Sequence, residues 1–121
     1  MSDAPQLLIV AAESAPWADA VMALASPHRR TLVVAPRDEI ETSAVEVVVG
    51  APPDLAAIIP RCPPLRWVQS TWAGIDAIAH FASEGLQVTP LKGVFGPAMT
   101  EYVMGWLLAI ERNVISRASH T

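Results

Sequence analysis

Residues 45–54 read Val45-Glu46-Val47-Val48-Val49-Gly50-Ala51-Pro52-Pro53-Asp54. Three consecutive valines make a β-branched run that packs well on a pleated surface and is a poor helix former. A strand that is apolar on both sides asks for cover on both faces, which a parallel sheet flanked by helices provides. Gly50 and Ala51 then leave the strand, and Pro52-Pro53-Asp54 supplies rigid turn geometry followed by an acidic first turn. A strand running directly into a helix is the unit this stretch specifies.

The same unit recurs outward from it. Leu7-Leu8-Ile9-Val10 and Leu32-Val33-Val34 are also continuously apolar. Strands are expected over 6–12, 31–35, 45–49, 66–69 and 86–89, with helices over 15–25, 54–59 and 75–82 and a long one from about 97 past 112. Five strands alternating with helices predict an α/β fold, a doubly wound parallel five-stranded sheet. Ser14, just before Pro16, is placed to cap the first helix. Asp76 is placed to complement the start of the third. Pro60, Pro63 and Pro64 end the second.

The last helix is the strongest periodic signal. Met99, Val103, Trp106, Leu107, Ile110 and Val114 recur at three- and four-residue steps. Tyr102, Met104, Leu108 and Ala109 widen this stripe until the helix is apolar nearly all round, as expected where several partners bury it. Gly105 costs about 1 kcal/mol relative to Ala in a helix interior, so a close backbone contact is expected there.

A length of 121 residues suits one domain with a single core, and 52% hydrophobic against 17% charged residues argues against disorder. Net charge is −4, and Arg29-Arg30 is the only adjacent basic pair, so no footprint for nucleic acid is present. Cys62 stands alone, which rules out an internal disulfide and a cysteine-based metal cluster, while His28, His80 and His120 lack ligand spacing; no metal is expected. There is no signal segment and no run of about 18 apolar residues. The expectation is a soluble, cytoplasmic protein with no membrane partner.

Leu65-Arg66-Trp67-Val68-Gln69-Ser70-Thr71-Trp72-Ala73-Gly74-Ile75-Asp76 resembles the strand, loop and helix start of D-isomer-specific 2-hydroxyacid dehydrogenases, where the loop reads as small residues, Ala-Gly, an aliphatic residue and Asp. Roughly a helix and a strand later, Gly93-Val94-Phe95-Gly96-Pro97-Ala98-Met99-Thr100-Glu101-Tyr102-Val103 looks like that family's lead into its interdomain helix. Val49-Gly50-Ala51-Pro52-Pro53 and Met99-Thr100-Glu101-Tyr102 bring the likeness nearest to the glyoxylate/hydroxypyruvate reductase branch. Residues 1–44 match only in general pattern.

The resemblance implies that residues 1–121 form a flavodoxin-like N-terminal substrate-binding domain ending in an interdomain helix at about 97–115, with the nucleotide-binding domain absent from this chain. The implied activity is hydride transfer between NAD(P)H and a small 2-keto or 2-hydroxy acid. Gly50, Ala51, Thr71, Trp72, Ala73 and Gly74 are then substrate-binding, with the backbone of Ala73 and Gly74 on the carboxylate and Trp72 as an apolar wall. Met99 and Thr100 border the cofactor cleft.

Each assignment has a plainer competitor. Gly74 also fits a tight strand-to-helix turn, Pro52 and Pro53 a stiff helix start, Met99 a core residue, and Glu101 a helix-dipole partner. Gly93-Val94-Phe95-Gly96 offers the two glycines of a KH-type loop, but in an acidic chain with no basic surround. The family's catalytic Arg, Glu and His come from segments beyond the crossing helix, so no catalytic residue is assigned. The three-glycine dinucleotide fingerprint is missing as well. The chain alone is therefore expected to bind no NAD(P) tightly and to be inactive, with a homo-oligomer, a dimer, held through its apolar helix. The alternative is a stand-alone, non-enzymatic flavodoxin-like interaction or regulatory module. A receiver domain would want an Asp at the end of the third strand, where Val49-Gly50-Ala51 stands.

Overall fold

The structure is a computed structural model that describes residues 4–12 and 15–120. It divides into two compact units, Met1–Leu91 and Lys92–Thr121.

The first unit is built on five strands: β1 (Leu7–Val10), β2 (Thr31–Val34), β3 (Val47–Gly50), β4 (Trp67–Ser70) and β5 (Gln87–Thr89). Every pairing is parallel and the order is β2-β1-β3-β4-β5. The chain winds from β1 to one side, then returns to continue on the other, so the loops after β1 and β3 diverge at the point where such sheets leave a crevice. This is the flavodoxin-like α/β arrangement.

Two-sided cover explains the continuous apolar runs of β1 and β3, whereas β2, an edge strand, buries Val34 and leaves Leu32 and Val33 exposed, against the expectation from its sequence. Successive strand residues point to opposite faces. Leu8, Val10, Val48 and Val68 face one core with Leu55 and Ile58 of α2 (Pro52–Ile58), together with Ile59, Cys62, Leu65 and Ile78. Leu7, Ile9 and Val47 face another with Ala18, packed against Trp17, Val21 and Met22 of α1 (Pro16–Ala25). Had these strands alternated polar and apolar, one face would have to meet water; here neither does over β1 and β3.

Both helices start with proline in the first turn, whose fixed φ suits the position and whose missing N–H costs nothing there. Ala15 occupies the N-cap position of α1 without a side-chain cap; Ser14, expected as the cap, lies outside the described residues. The second helix is prolonged by a 3-10 turn, Ile59–Arg61.

The helix expected over 75–82 does not form. Ile75 carbonyl accepts from the N–H groups of Ile78 and Ala79, and a 3-10 turn follows at Ala79–Phe81. The reason is the spacing of its apolar side chains: Ile75, Ile78 and Phe81 face the core at steps of three, the period of a 3-10 helix. Asp76 consequently has no helix terminus to complement.

In the second unit α3 (Gly96–Glu111) is followed by α4 (Val114–Ala118). The expected single helix running past residue 112 is broken at Asn113, whose φ of 51° is left-handed, a conformation asparagine tolerates at helix ends. No residue of α3 is buried. The described residues make no close contact at Gly105: a Cβ there would meet nothing of them within 4 Å. Gly105 instead borders a shallow apolar hollow of about 390 Å³ with Tyr102, Trp106 and Ile115.

Candidate functional site

Parallel strands deliver all their carboxyl ends to one rim. Val10, Gly50 and Ser70 sit side by side in register, so the loops that follow β1, β3 and β4 leave the sheet together. The loop after β4 is tied to its neighbour at once: Thr71 N–H donates to the Gly50 carbonyl at 2.9 Å.

Gly50 is required by packing. A Cβ at this position would lie 3.0 Å from the Val10 carbonyl oxygen, 3.1 Å from Val10 Cβ and 3.2 Å from Leu55 Cδ2. Ala51 caps α2 and accepts from the N–H groups of Asp54 and Leu55 at 3.0 Å. Pro52 and Pro53 have no N–H to offer, so this helix start presents few donors to a ligand. Gly50 and Ala51 shape the rim beside the β4 loop.

That loop is held from within. Ser70 is the single buried polar residue among those described, 1% exposed. Its hydroxyl accepts from Trp72 N–H and donates to the Trp72 carbonyl, both at 2.9 Å. The same carbonyl accepts from Leu91 N–H at 2.9 Å. Behind it, Gln69 Nε2 donates to the Ser70 carbonyl at 2.8 Å, Thr89 Oγ1 donates to Gln69 Oε1 at 2.7 Å, and Trp67 Nε1 donates to Thr89 Oγ1 at 2.8 Å.

The bracing stops at Trp72. The N–H groups of Ala73 and Gly74, like those of Ile75, Asp76 and Ala77 after them, bond to no atom of the described residues, and Ala73 and Gly74 are exposed. Successive unpaired backbone donors on a braced loop are the components of an anion-binding concavity. Nothing in the fold demands the glycine: Gly74 has no left-handed φ, and a Cβ would meet nothing within 4 Å. The competing reading of Gly74, a turn that needs glycine for geometry, loses its basis. The Trp72 side chain is 51% exposed beside these donors. No lysine or arginine falls within residues 70–76, and exposed Asp76 is the loop's one ionisable side chain, so backbone dipoles are what this loop offers an anion.

Met99 and Thr100 stand in the first turn of α3, Met99 58% exposed. With Val103 and Met104 they line a shallow hollow of about 290 Å³; Met99 is therefore no core residue within its unit.

A dinucleotide does not fit the residues present. Gly93, in a left-handed turn with φ 77°, precedes α3 and Gly96 is its first residue, and Pro97 removes an N–H from the helix start that a pyrophosphate would use. Among the described residues no group of three potential metal ligands converges, and no helix is long and apolar enough to cross a membrane.

No family model matches the chain. No curated protein matches it either. Solved structures do. A D-isomer specific 2-hydroxyacid dehydrogenase family protein from Aeromonas salmonicida subsp. salmonicida superposes with a TM-score of 0.74 at 27% identity, over 93% of this chain. The structural neighbours are D-isomer specific 2-hydroxyacid dehydrogenase family proteins. A second, from Klebsiella pneumoniae, has a TM-score of 0.57 at 22% identity over 100% of this chain, which speaks for the fold alone. This chain spans 37% of the length of the first neighbour and 40% of the second. The likeness therefore extends to one portion of those proteins.

The β4 loop was legible in the sequence as a small-residue turn. Ser70 was not singled out: a serine ending a strand carries no sign that it will be buried, and only the tertiary contact with Trp72 and the Leu91 backbone reveals its part.

Proposed function

We propose that this chain is the substrate-binding portion of an oxidoreductase acting on small 2-keto or 2-hydroxy acids, and that the Ala73 and Gly74 N–H groups receive the substrate carboxylate. The observation that carries the reading is the pairing of two unsatisfied, exposed backbone donors with a glycine that neither packing nor backbone conformation explains. A methyl group at Gly74 would occupy the space a ligand needs. Thr71 and Trp72 flank the carboxylate, Trp72 as an apolar wall, while Gly50 and Ala51 border it from the next loop. Charge-assisted hydrogen bonds from backbone to carboxylate are stronger than neutral ones, which suits recognition without a cation.

The likeness to D-isomer specific 2-hydroxyacid dehydrogenase family proteins supports the reaction class, and the residues around Gly50 and Met99 support the glyoxylate/hydroxypyruvate reductase branch. Hydride transfer to a keto acid also needs a proton donor and a bound nicotinamide. NAD(P), the catalytic groups and a nucleotide-binding domain are assigned to chain other than these residues, with Met99 and Thr100 on the cofactor side of the cleft. The exposed apolar surface of α3 is read as covered by that domain and by a second copy.

Titrating the isotope-labelled chain with sodium glyoxylate while following backbone amide resonances tests the core of the proposal. Saturable shifts centred on Ala73 and Gly74 are expected. Shifts elsewhere, or none, refute it. In the same solution NADH or NADPH absorbance is expected to stay constant, since the catalytic groups are assigned to chain other than these residues.

A further inference from the structure

The carboxylate reading leaves unexplained why the described residues contain a single buried polar one, and why it stands directly beneath the loop. We infer that Ser70 is a positioning residue for the anion site: its hydroxyl, backed by the Trp67–Thr89–Gln69 relay, holds Trp72 by both its N–H and its carbonyl and so fixes the peptide that carries the Ala73 N–H. The inference rests on the proposal that Ala73 and Gly74 bind a carboxylate.

A short loop has an easier alternative available. Left alone, residues 71–75 could fold into an ordinary turn in which the Ala73 or Gly74 N–H bonds to a carbonyl two or three residues back, as most four-residue turns do. The carbonyls two or three residues back are those of Ser70, Thr71 and Trp72; those of Ser70 and Trp72 already hold donors, and that of Thr71 accepts from none of the described residues. Gln69 Nε2 holds the Ser70 carbonyl at 2.8 Å. The Ser70 hydroxyl and Leu91 N–H hold the Trp72 carbonyl, each at 2.9 Å. The Ser70 oxygen also takes up Trp72 N–H. A planar trans peptide sets its N–H opposite its C=O, so holding the Trp72 carbonyl on Ser70 and Leu91 turns the Ala73 N–H away from both.

The relay explains a second oddity. Trp67, on the more exposed half of the sheet, is held by an indole N–H bond to Thr89 Oγ1, and Thr89 in turn fixes the amide orientation of Gln69. With Oε1 accepting from Thr89, the Gln69 side chain must present Nε2 to the Ser70 carbonyl. Strand β5 thereby constrains a loop that belongs to β4.

The test is the glyoxylate titration repeated on variants, with circular dichroism to confirm folding. Ser70→Ala is expected to weaken binding about tenfold, on the order of one lost hydrogen bond's worth of positioning, and Ser70→Thr, which keeps the hydroxyl, to recover most of it. Ile59→Val, a cavity in the core remote from the loop, should leave affinity unchanged; an equal loss there would make the Ser70 effect one of general stability and overturn the inference. Should Ser70→Ala not fold, Thr89→Val loosens the same relay one bond further back and is expected to weaken binding about threefold. Parent-like affinity in a folded Ser70→Ala, or in Thr89→Val where that variant stands in, overturns the positioning role and leaves the carboxylate site intact. Absence of any shift at Ala73 and Gly74 in the parent chain removes the carboxylate site itself, and this inference with it.

Discussion

Two glycines on the same sheet rim should respond to alanine in opposite ways. At Gly50 the new methyl would press on the Val10 carbonyl oxygen at 3.0 Å and on Val10 Cβ at 3.1 Å. Leu55 Cδ2, at 3.2 Å, is the end of a flexible side chain and can swing aside. Val10 cannot, because its backbone is locked in register with both Val34 and Gly50. Overpacking against a neighbour that cannot give lies towards the upper part of about 1–3 kcal/mol. Reduced freedom of the unfolded chain returns about 0.4–1 kcal/mol of it, so the net loss lies between about 0 and 2.6 kcal/mol and, with Val10 fixed, in the upper half of that range.

At Gly74 there is no contact to offset, since a Cβ would meet nothing within 4 Å and φ is not left-handed. Only the unfolded-state term acts there. With a urea m-value of about 1–3 kcal/mol/M, Gly50→Ala should lower the unfolding midpoint by about 1 M, and Gly74→Ala should leave it unchanged or raise it by a few tenths. The glyoxylate titration inverts the ranking for Gly74: on the proposed site a methyl added in that open space competes with the ligand and should weaken binding about tenfold or more. The reasoning fails if Gly74→Ala is destabilised as much as Gly50→Ala, or if it binds glyoxylate like the parent.

Ile78, fully buried at the centre of the turns that replace the expected helix, anchors that segment to the sheet, so Ile78→Ala should cost about 2–5 kcal/mol by urea unfolding; a loss under about 1 kcal/mol would show the segment to be loosely attached. Burial pushes the Cys62 thiol up, with the Arg61 charge opposing in part. The folded chain then holds its proton where the unfolded chain has released it, so stability is full below the ordinary thiol value of about 8.5 and declines as pH rises through it. The decline should be shallower in Cys62→Ala, and an equal slope in the two proteins would contradict the assignment. The exposed apolar surface of α3 should drive concentration-dependent self-association, visible by light scattering and suppressed by Leu107→Glu with Ile110→Glu; a clean monomer at high concentration would count against it.

Much of this architecture can be read from residues in order. Val47-Val48-Val49 and Leu7-Leu8-Ile9-Val10 admit few structures other than parallel strands with helices on both sides, because an uninterrupted apolar run has no face suited to water; Leu32-Val33-Val34 reads the same way, yet at the sheet edge Leu32 and Val33 stay partly exposed. Pro16, Pro52 and Pro97 mark helix starts through a ring constraint that acts locally. Signals of this sort need no tertiary context.

Where contacts between distant residues decide the outcome, the sequence was silent or misleading. The segment 75–82 has helix-forming residues, yet the sheet selects the three-residue spacing of Ile75, Ile78 and Phe81 over helical hydrogen bonding. Gly50 and Gly74 are the same residue in similar loops, and only the approach of Val10 and Leu55 to one of them separates a packing requirement from an open space. Ser70 became visible when folding brought Trp72 and Leu91 around its hydroxyl. Local propensity and pattern determine which elements exist; which donors are left unsatisfied at a rim depends on every neighbour that could have satisfied them, and that is a property of the assembled fold alone.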